Sequence, residues 1–333
     1  MHFFRKTNID FIGKRRTYYF VSTFITVAGI VWALARGVEF GIDFAGGTEV
    51  QLQFQKNVAI AQIRTALDEG GFRGAEVKYY GKNESGVLVR VREGAQGASA
   101  GAQTTKHVLD AVAKGIPDDH AQLMQEQHIG PKIGAELQQK AFLAVFFTCI
   151  VILIYLTFRF KFVYGFGAVV AIVHDVLVAF AFAVICNNIV PWLNLEMNST
   201  MLAAFLTIVG FSVNDTVIIF DRIREDQKKY KGRPLKEVMN RAINETLPRT
   251  IITSGTVFLT LIVLFIWGGE VLRGFAFTML IGVITGTYSS IFVASAIAYD
   301  WLQRGKKDEV TADSRATAPK QVAKKSSKVP ATA

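Results

Sequence analysis

Six apolar runs constrain this chain more than anything else in it: residues 17–35, 141–158, 162–186, 199–220, 250–267 and 274–299. About 20 apolar residues, rising about 1.5 Å each in a helix, cross the roughly 30 Å hydrocarbon layer of a bilayer. Lipid offers no hydrogen-bonding partner to backbone groups, so runs of this kind span as helices. The expected fold is an α-helical polytopic membrane protein with six transmembrane helices. The apolar share of 51% over 333 residues fits that class and excludes an ordinary soluble domain.

The positions of the basic residues set the expected orientation, because Lys and Arg are retained on the cytoplasmic side. Five precede the first run, two lie between runs two and three, nine lie in 221–249 and eight in 300–333. The short loops between runs three and four and between runs five and six carry only Arg273. Both termini are thus expected inside, with 1–16 as a cytoplasmic leader and 36–140 as a periplasmic domain. That domain has 12 basic and 13 acidic residues, so the net charge of +10 belongs to the inner face. Attraction to anionic lipid headgroups accounts for it, and no nucleic-acid partner is expected. The basic leader, apolar run and Ala33-Leu34-Ala35 mimic a cleavable signal, but the run is long enough to span and is read as an uncleaved first helix.

The block 36–140 alternates strand-like and helix-like patterns. Strands are expected over 49–55, 76–80, 87–92 and 121–128, and helices over 58–67 and 104–113. The order βαββαβ suggests a small α+β, ferredoxin-like domain. Residues 94–103, rich in Gly, Ala, Gln and Ser, read as a loop. Gly46-Gly47 and Gly130-Pro131 read as turns joining the domain to the spans. On the inner side, Pro234 opens an amphipathic helix with Leu235, Val238, Met239, Ala242 and Ile243 on one face. It is expected to lie along the membrane surface and to stop at Pro248, before the fifth span. The segment 300–333 reads as a disordered basic cytoplasmic tail.

Within the six runs the charged or titratable residues of the Asp, Glu, His, Lys and Arg types are His174, Asp175 and Asp215, with Arg249 at the border of the fifth. A carboxylate in hydrocarbon costs roughly 2.5–3.5 kcal/mol on insertion scales, so Asp215 calls for a partner and a purpose. It lies six residues, or about 9 Å, from Asp221 at the inner end of its run. The long Arg249 side chain enters from the same side and is expected to pair with it. An approaching guanidinium favours the ionised acid and a retreating one favours the proton, which is the swing a proton-coupled machine requires. His174 and Asp175, adjacent on a helix, point apart and are read as separate contacts, serving either a relay or structural hydrogen bonds. Asn214, Ser212 and Thr216 are candidates to hydrate or orient Asp215, with helix packing the favoured reading for Ser212 and Thr216. Gly282, Gly286, Ser290, Ala294 and Ala298 repeat every four residues and form a packing stripe, long enough to suggest a partner subunit. Cys149 and Cys186 differ in membrane depth, so no disulfide or metal site is expected. No G-x-x-x-x-G-K-[ST] loop is present, no cofactor is expected, and no nucleophile recurs with a base and an orienting group. Enzymatic chemistry is not expected; energy must come from an ion gradient or a partner.

Several stretches together resemble a known family. They are Phe40-Gly-Ile-Asp-Phe-Ala-Gly-Gly-Thr48, Ile129-Gly-Pro-Lys-Ile-Gly134, Ala171-Ile-Val-His-Asp175, Val209-Gly-Phe-Ser-Val-Asn-Asp-Thr-Val-Ile-Ile-Phe-Asp-Arg-Ile-Arg-Glu225, Arg249-Thr-Ile-Ile-Thr-Ser-Gly-Thr256 and Gly286-Thr-Tyr-Ser-Ser-Ile-Phe-Val-Ala-Ser-Ala296. In this order, over about residues 37–300, the pattern is similar to SecF-type subunits of the SecD/SecF protein-export family, within the resistance-nodulation-division superfamily. The resemblance implies a bacterial inner-membrane subunit that pairs with SecD into a twelve-helix bundle. Such a subunit uses the proton-motive force to draw preproteins from the Sec channel on the outer side. It also implies that Asp215 and Arg249 are the proton-conducting pair. Two alternatives remain at this point: half of a proton-coupled exporter of small molecules or lipids, and a passive scaffold.

Overall fold

The computed structural model describes residues 7–80, 85–91, 100–117, 119–190 and 193–316. Six helices are long and apolar enough to span a membrane. They include α1 (Arg15–Arg36) and, after a one-turn α2 (Ile42–Ala45) and a small α/β domain, α5 (Pro131–Arg159), α6 (Phe162–Ile189), α7 (Ser199–Lys229) and α8 (Leu235–Trp267). The sixth span is broken into α9 (Gly269–Ser289), a π-helical segment (Ser290–Ala294) and α10 (Ser295–Ala316).

The α/β domain has the expected order: β1 (Gly47–Gln53), α3 (Ile60–Glu69), β2 (Glu76–Tyr79), β3 (Gly86–Val91), α4 (Ala100–Gly115) and β4 (Gln122–Ile129). The strands lie in the order β2-β3-β1-β4, every neighbouring pair antiparallel. Alternate residues face opposite sides of a sheet. Val50, Leu52, Val77, Val87 and Val89 therefore share one face, buried with Ile63, Leu67, Val108 and Val112 of α3 and α4. The other face carries Glu49, Gln51, Glu76, Lys78, Leu88 and Arg90. β4 is an exposed edge. α4 takes in residues 100–103 of the expected loop, whose residues 94–99 lie outside the described ones.

The glycine motifs join this domain to the spans. Gly46 has φ +74°, and a Cβ there would lie 2.6 Å from the Cα of Pro131; one on Gly134 would lie 2.9 Å from the Gly46 nitrogen. Two backbones thus touch where the domain's first strand begins and α5 starts, which only glycine permits.

Several expectations are corrected. α5 starts at Pro131, ten residues before the expected span, because Pro at the first position and an uninterrupted polar turn let the helix begin outside the apolar run. α8 runs through Pro248 instead of stopping there; prolines are tolerated in spanning helices where neighbouring groups re-satisfy the backbone. Its amphipathic start is covered by the protein itself: Val238, Met239, Ala242 and Ile243 are buried with Phe11, Ile12, Ile219, Phe220 and Ile223. Asn240 and Asn244 also accept hydrogen bonds from the backbone of Ile12 and Ile9, both 2.9 Å, so the leader is clipped to α8. The basic tail is helical to Ala316, and 317–333 lie outside the described residues.

A further correction concerns the small-residue stripe, which is consumed within the chain. A Cβ on Gly282 would lie 2.2 Å from Ile208, and one on Gly286 3.3 Å from Ser212. Ser290, Ala294 and Ala298 are fully buried. The sixth span therefore lies backbone-close against α7, and small residues are needed to bring it there.

Candidate functional site

Asp215 sits in the middle of α7, 1% exposed. Among the described residues its Oδ2 accepts one hydrogen bond, from Ser254 Oγ of α8 at 3.3 Å, and its Oδ1 is buried with no partner. Ser254 in turn meets Thr287 of α9, with 2.7 Å between the hydroxyl oxygens. A buried carboxylate normally accepts several hydrogen bonds, and an unmade one carries a desolvation penalty of about 1–3 kcal/mol, more for a charged group.

Asp175 in α6 shows the opposite condition. It is fully buried, yet its Oδ1 lies 3.0 Å from His174 Nδ1 while its Oδ2 accepts from Ser212 and Ser289, both at 2.6 Å. These bonds tie α6, α7 and α9 together at one oxygen. The expectation that His174 and Asp175 point apart is corrected. The two carboxylate oxygens diverge, so one turns back to the neighbouring imidazole while the other enters the bundle.

The expected pairing of Asp215 with Arg249 is not formed: Arg249 is exposed on α8 and makes no ion pair among the described residues. It still lies near enough for its charge to act on the carboxylate. Asn214 is also exposed, on the outer side of α7. Ser212 serves Asp175, and Thr216 donates to its own helix at Ser212 O, 3.0 Å. The hydroxyl partners Ser254, Thr287 and Ser289 were missed by sequence reasoning, since isolated Ser and Thr are common in spans; their alignment with the two acids at matching depth was the available signal.

A second charged cluster, unseen in the sequence, lies where the bare sheet face meets the outer ends of the spans. Lys78 Nζ is 2.8 Å from Glu39, 2.8 Å from Glu196 and 3.0 Å from Glu76. The Arg90 guanidinium is 2.8 Å from Glu49, 2.5 Å from Glu196 and 3.1 Å from Glu76. Glu39, Glu76 and Glu196 converge closely enough to hold a metal ion, but the Lys78 ammonium already bridges all three. Burial pushes the Glu196 carboxyl up, yet Arg90 and Lys78 beside it outweigh that and hold it below the usual carboxylate value.

This junction is fastened to the start of α7. Met197 N donates to Glu39 O at 2.9 Å and Gly41 N to Met197 O at 2.8 Å. Asn198 caps α7 by accepting from Met201 N, and Asp43 accepts from Ser199 N at 2.8 Å. The helix that carries Asp215 thus begins on a fixed mount under the outer domain, about 24 Å from the acid at about 1.5 Å per residue.

Comparison with known proteins agrees with this architecture. Residues 108–304 match the family described as protein export membrane protein SecD/SecF, C-terminal, and residues 31–58 match the SecD/SecF GG motif, which contains the Gly46-Gly47 turn. The chain is 39% identical over 300 residues to the protein translocase subunit SecF of Rhodothermus marinus, covering 90% of this chain and 95% of that one. It is 40% identical over 320 residues to the SecF of Magnetococcus marinus, covering 95% and 99%. The crystal structure of SecDF from Thermus thermophilus superposes with a TM-score of 0.77 at 32% identity, covering 89% of this chain and 39% of that one. SecDF in its super-membrane-facing form gives 0.66 at 32% identity.

Proposed function

The chain belongs to the SecD/SecF family of protein-export membrane proteins, and from that premise we propose that it is the SecF half of a proton-driven motor that helps preproteins leave the Sec channel. As a Sec translocase subunit it is a multi-pass protein of the bacterial inner membrane. In the proposal both termini are cytoplasmic, the partner is SecD, and no enzymatic step is involved.

The observation that carries the motor reading is Asp215: fully enclosed, held by one long hydrogen bond, with one oxygen bare. An anion so poorly solvated gains from taking up a proton, and a charge moving through 100 mV is worth about 2.3 kcal/mol, comparable to a conformational bias. Movement at Asp215 would reach the outer domain through α7 and its mount at Glu196, which Arg90 and Lys78 grip.

The surface of α7 supports a SecD partner. Ala203, Thr207, Gly210 and Asn214 form an exposed stripe, and a Cβ on Gly210 would meet nothing within 4 Å. The exposed Arg249 heads a second stripe on α8 with Ile252, Leu259 and Val263. A guanidinium aligned with lipid-type residues calls for an acid from a neighbouring bundle. The decisive experiment measures proton flux and preprotein export in vesicles holding the chain with SecD and the Sec channel. Asp215→Asn should abolish both while the complex stays assembled; full export with this variant would leave the scaffold reading in its place.

A further inference from the structure

The hydroxyls beside Asp215 form a chain whose hydrogen count fixes how it responds to a proton. Thr287 Oγ1 lies 2.7 Å from Ser254 Oγ and 2.8 Å from the backbone oxygen of Val283, one turn earlier in α9. Ser254 Oγ lies 3.3 Å from Asp215 Oδ2. Each hydroxyl has one hydrogen to donate, so Thr287 cannot serve Ser254 and Val283 at once. Two arrangements fill this chain without moving a heavy atom.

With Asp215 ionised, Thr287 donates to Ser254 and Ser254 donates to the carboxylate; the Val283 oxygen keeps only its helical bond. With a proton on Asp215, the acid donates to Ser254, Ser254 donates to Thr287, and Thr287 donates to Val283 O. One added proton reverses every hydrogen bond in the row and ends on the backbone of the sixth span. The charge and proton balance closes: one proton enters at the carboxylate, and no other group gains or loses one.

We propose that Ser254 and Thr287 are positioning residues for the proton site, a reversible two-hydroxyl chain that reports the protonation of Asp215 to the backbone of the sixth span. The inference rests on the proton-driven reading above. Thr287 lies three residues before the π-helical segment that begins at Ser290, where Ser295 Oγ bonds back to Ser290 O at 2.9 Å. π turns interrupt regular helices and often mark functional sites. Ser289, two residues beyond Thr287, is the donor that holds Asp175. The sixth span therefore reaches the switching acid through Thr287 and the intervening Ser254, and the saturated acid directly through Ser289.

The ionisable groups next to this row are His174 and Asp175 from α6, which meet α9 at Ser289, and Tyr288 from α9, while Arg249 of α8 is exposed. Asp175 and His174 bond each other, and Tyr288 is engaged by Ser22 of α1 at 3.1 Å. Asp215 is the acid at the head of the row, and the proposal places the exchanging proton there.

The test uses the chain with SecD in vesicles, with proton flux followed against pH and infrared difference spectra of the acid carbonyl recorded on the same samples. Thr287→Val keeps the shape and removes the terminal acceptor and donor. It takes two hydrogen bonds from the protonated arrangement and one from the ionised, so the flux profile should move toward acid by on the order of one pH unit, the worth of the one additional bond lost. Its acid carbonyl band should shift as well. Thr287→Ser should restore both. A Thr287→Val profile with an unmoved midpoint, or a Thr287→Ser profile as displaced as that of Thr287→Val, overturns the proposal. Undiminished flux in Asp215→Asn would instead overturn the proton-driven reading itself, whatever Thr287 does.

Discussion

Asp215 and Glu196 are both buried carboxylates, 1% and 7% exposed, the first midway along α7 and the second three residues before the helix starts. Asp215 has one hydroxyl at 3.3 Å and a bare oxygen; Glu196 has a guanidinium at 2.5 Å and an ammonium at 2.8 Å. Burial alone does not decide what an acid does. The number and charge of its donors do, because a carboxylate deprived of water is either held as an anion by what surrounds it or left to exchange a proton. One helix therefore joins an acid that can change state to one that cannot.

The largest expected effect breaks the first member of that pair. Asp215→Asn should reduce proton-coupled export by orders of magnitude while leaving thermal unfolding of the complex little changed, since it replaces an under-bonded anion with a neutral amide. A large drop in unfolding temperature instead would mean that Asp215 is a structural group like Glu196.

Next comes Arg90→Met, which strips the second member of its guanidinium. Breaking a buried ion pair from one side costs roughly 3–5 kcal/mol, because the orphaned charges stay behind. Amide hydrogen exchange should show β2 and β3 opening more readily, with proton uptake at Asp215 intact but export impaired. Unchanged exchange would mean that Lys78 alone carries the junction.

The two acids differ in how readily they could be read from the sequence. Asp215 stood out because hydrocarbon makes a lone charge in an apolar run conspicuous. The six spans were legible for the same reason. Glu39, Lys78, Arg90 and Glu196 lie in ordinary polar stretches, and their convergence exists only once two strands, a loop and the exit of α1 are folded together. Local signals misled where tertiary packing overrode them: Pro248 does not end α8, and Gly282 and Gly286 face α7 instead of a partner. Arg249 was expected to turn toward Asp215, but α8 runs on from Leu235, so that Arg249 lies within the helix and on its exposed side.

pH offers a way to sharpen the comparison. The folded Glu196 carboxyl titrates below its ordinary value of 4.5. Its contribution to the junction is thus complete above that value and lost only as pH falls through the lower folded one. Limited proteolysis of the outer domain should be insensitive to pH from neutrality down to about that value, then rise. Glu196→Gln should remove this acid step. A step near neutral pH would show that the junction titrates in the working range and that the contrast with Asp215 is false.

Gly46→Ala probes the mount from a different side. The residue sits at φ +74° with Pro131 Cα in the way, so alanine is strained in both conformation and contact. Destabilisation of roughly 2–3 kcal/mol is expected, seen as a lower unfolding temperature with Asp215 chemistry unaltered.

The smallest effect tests whether α7 works as a rigid connection. Asn198→Ala removes the cap at the helix start, worth about 1 kcal/mol, while Asp43 continues to hold the neighbouring Ser199 amide. The helix should fray by a turn at its outer end, above the acid and below the junction. Proton binding at Asp215 should then be untouched and export per proton modestly reduced, because the two buried acids would be joined by a looser link. Equal export per proton in the variant and the parent would mean that movement reaches the outer domain by another route, with α1 and the Gly46–Pro131 contact the next place to cut.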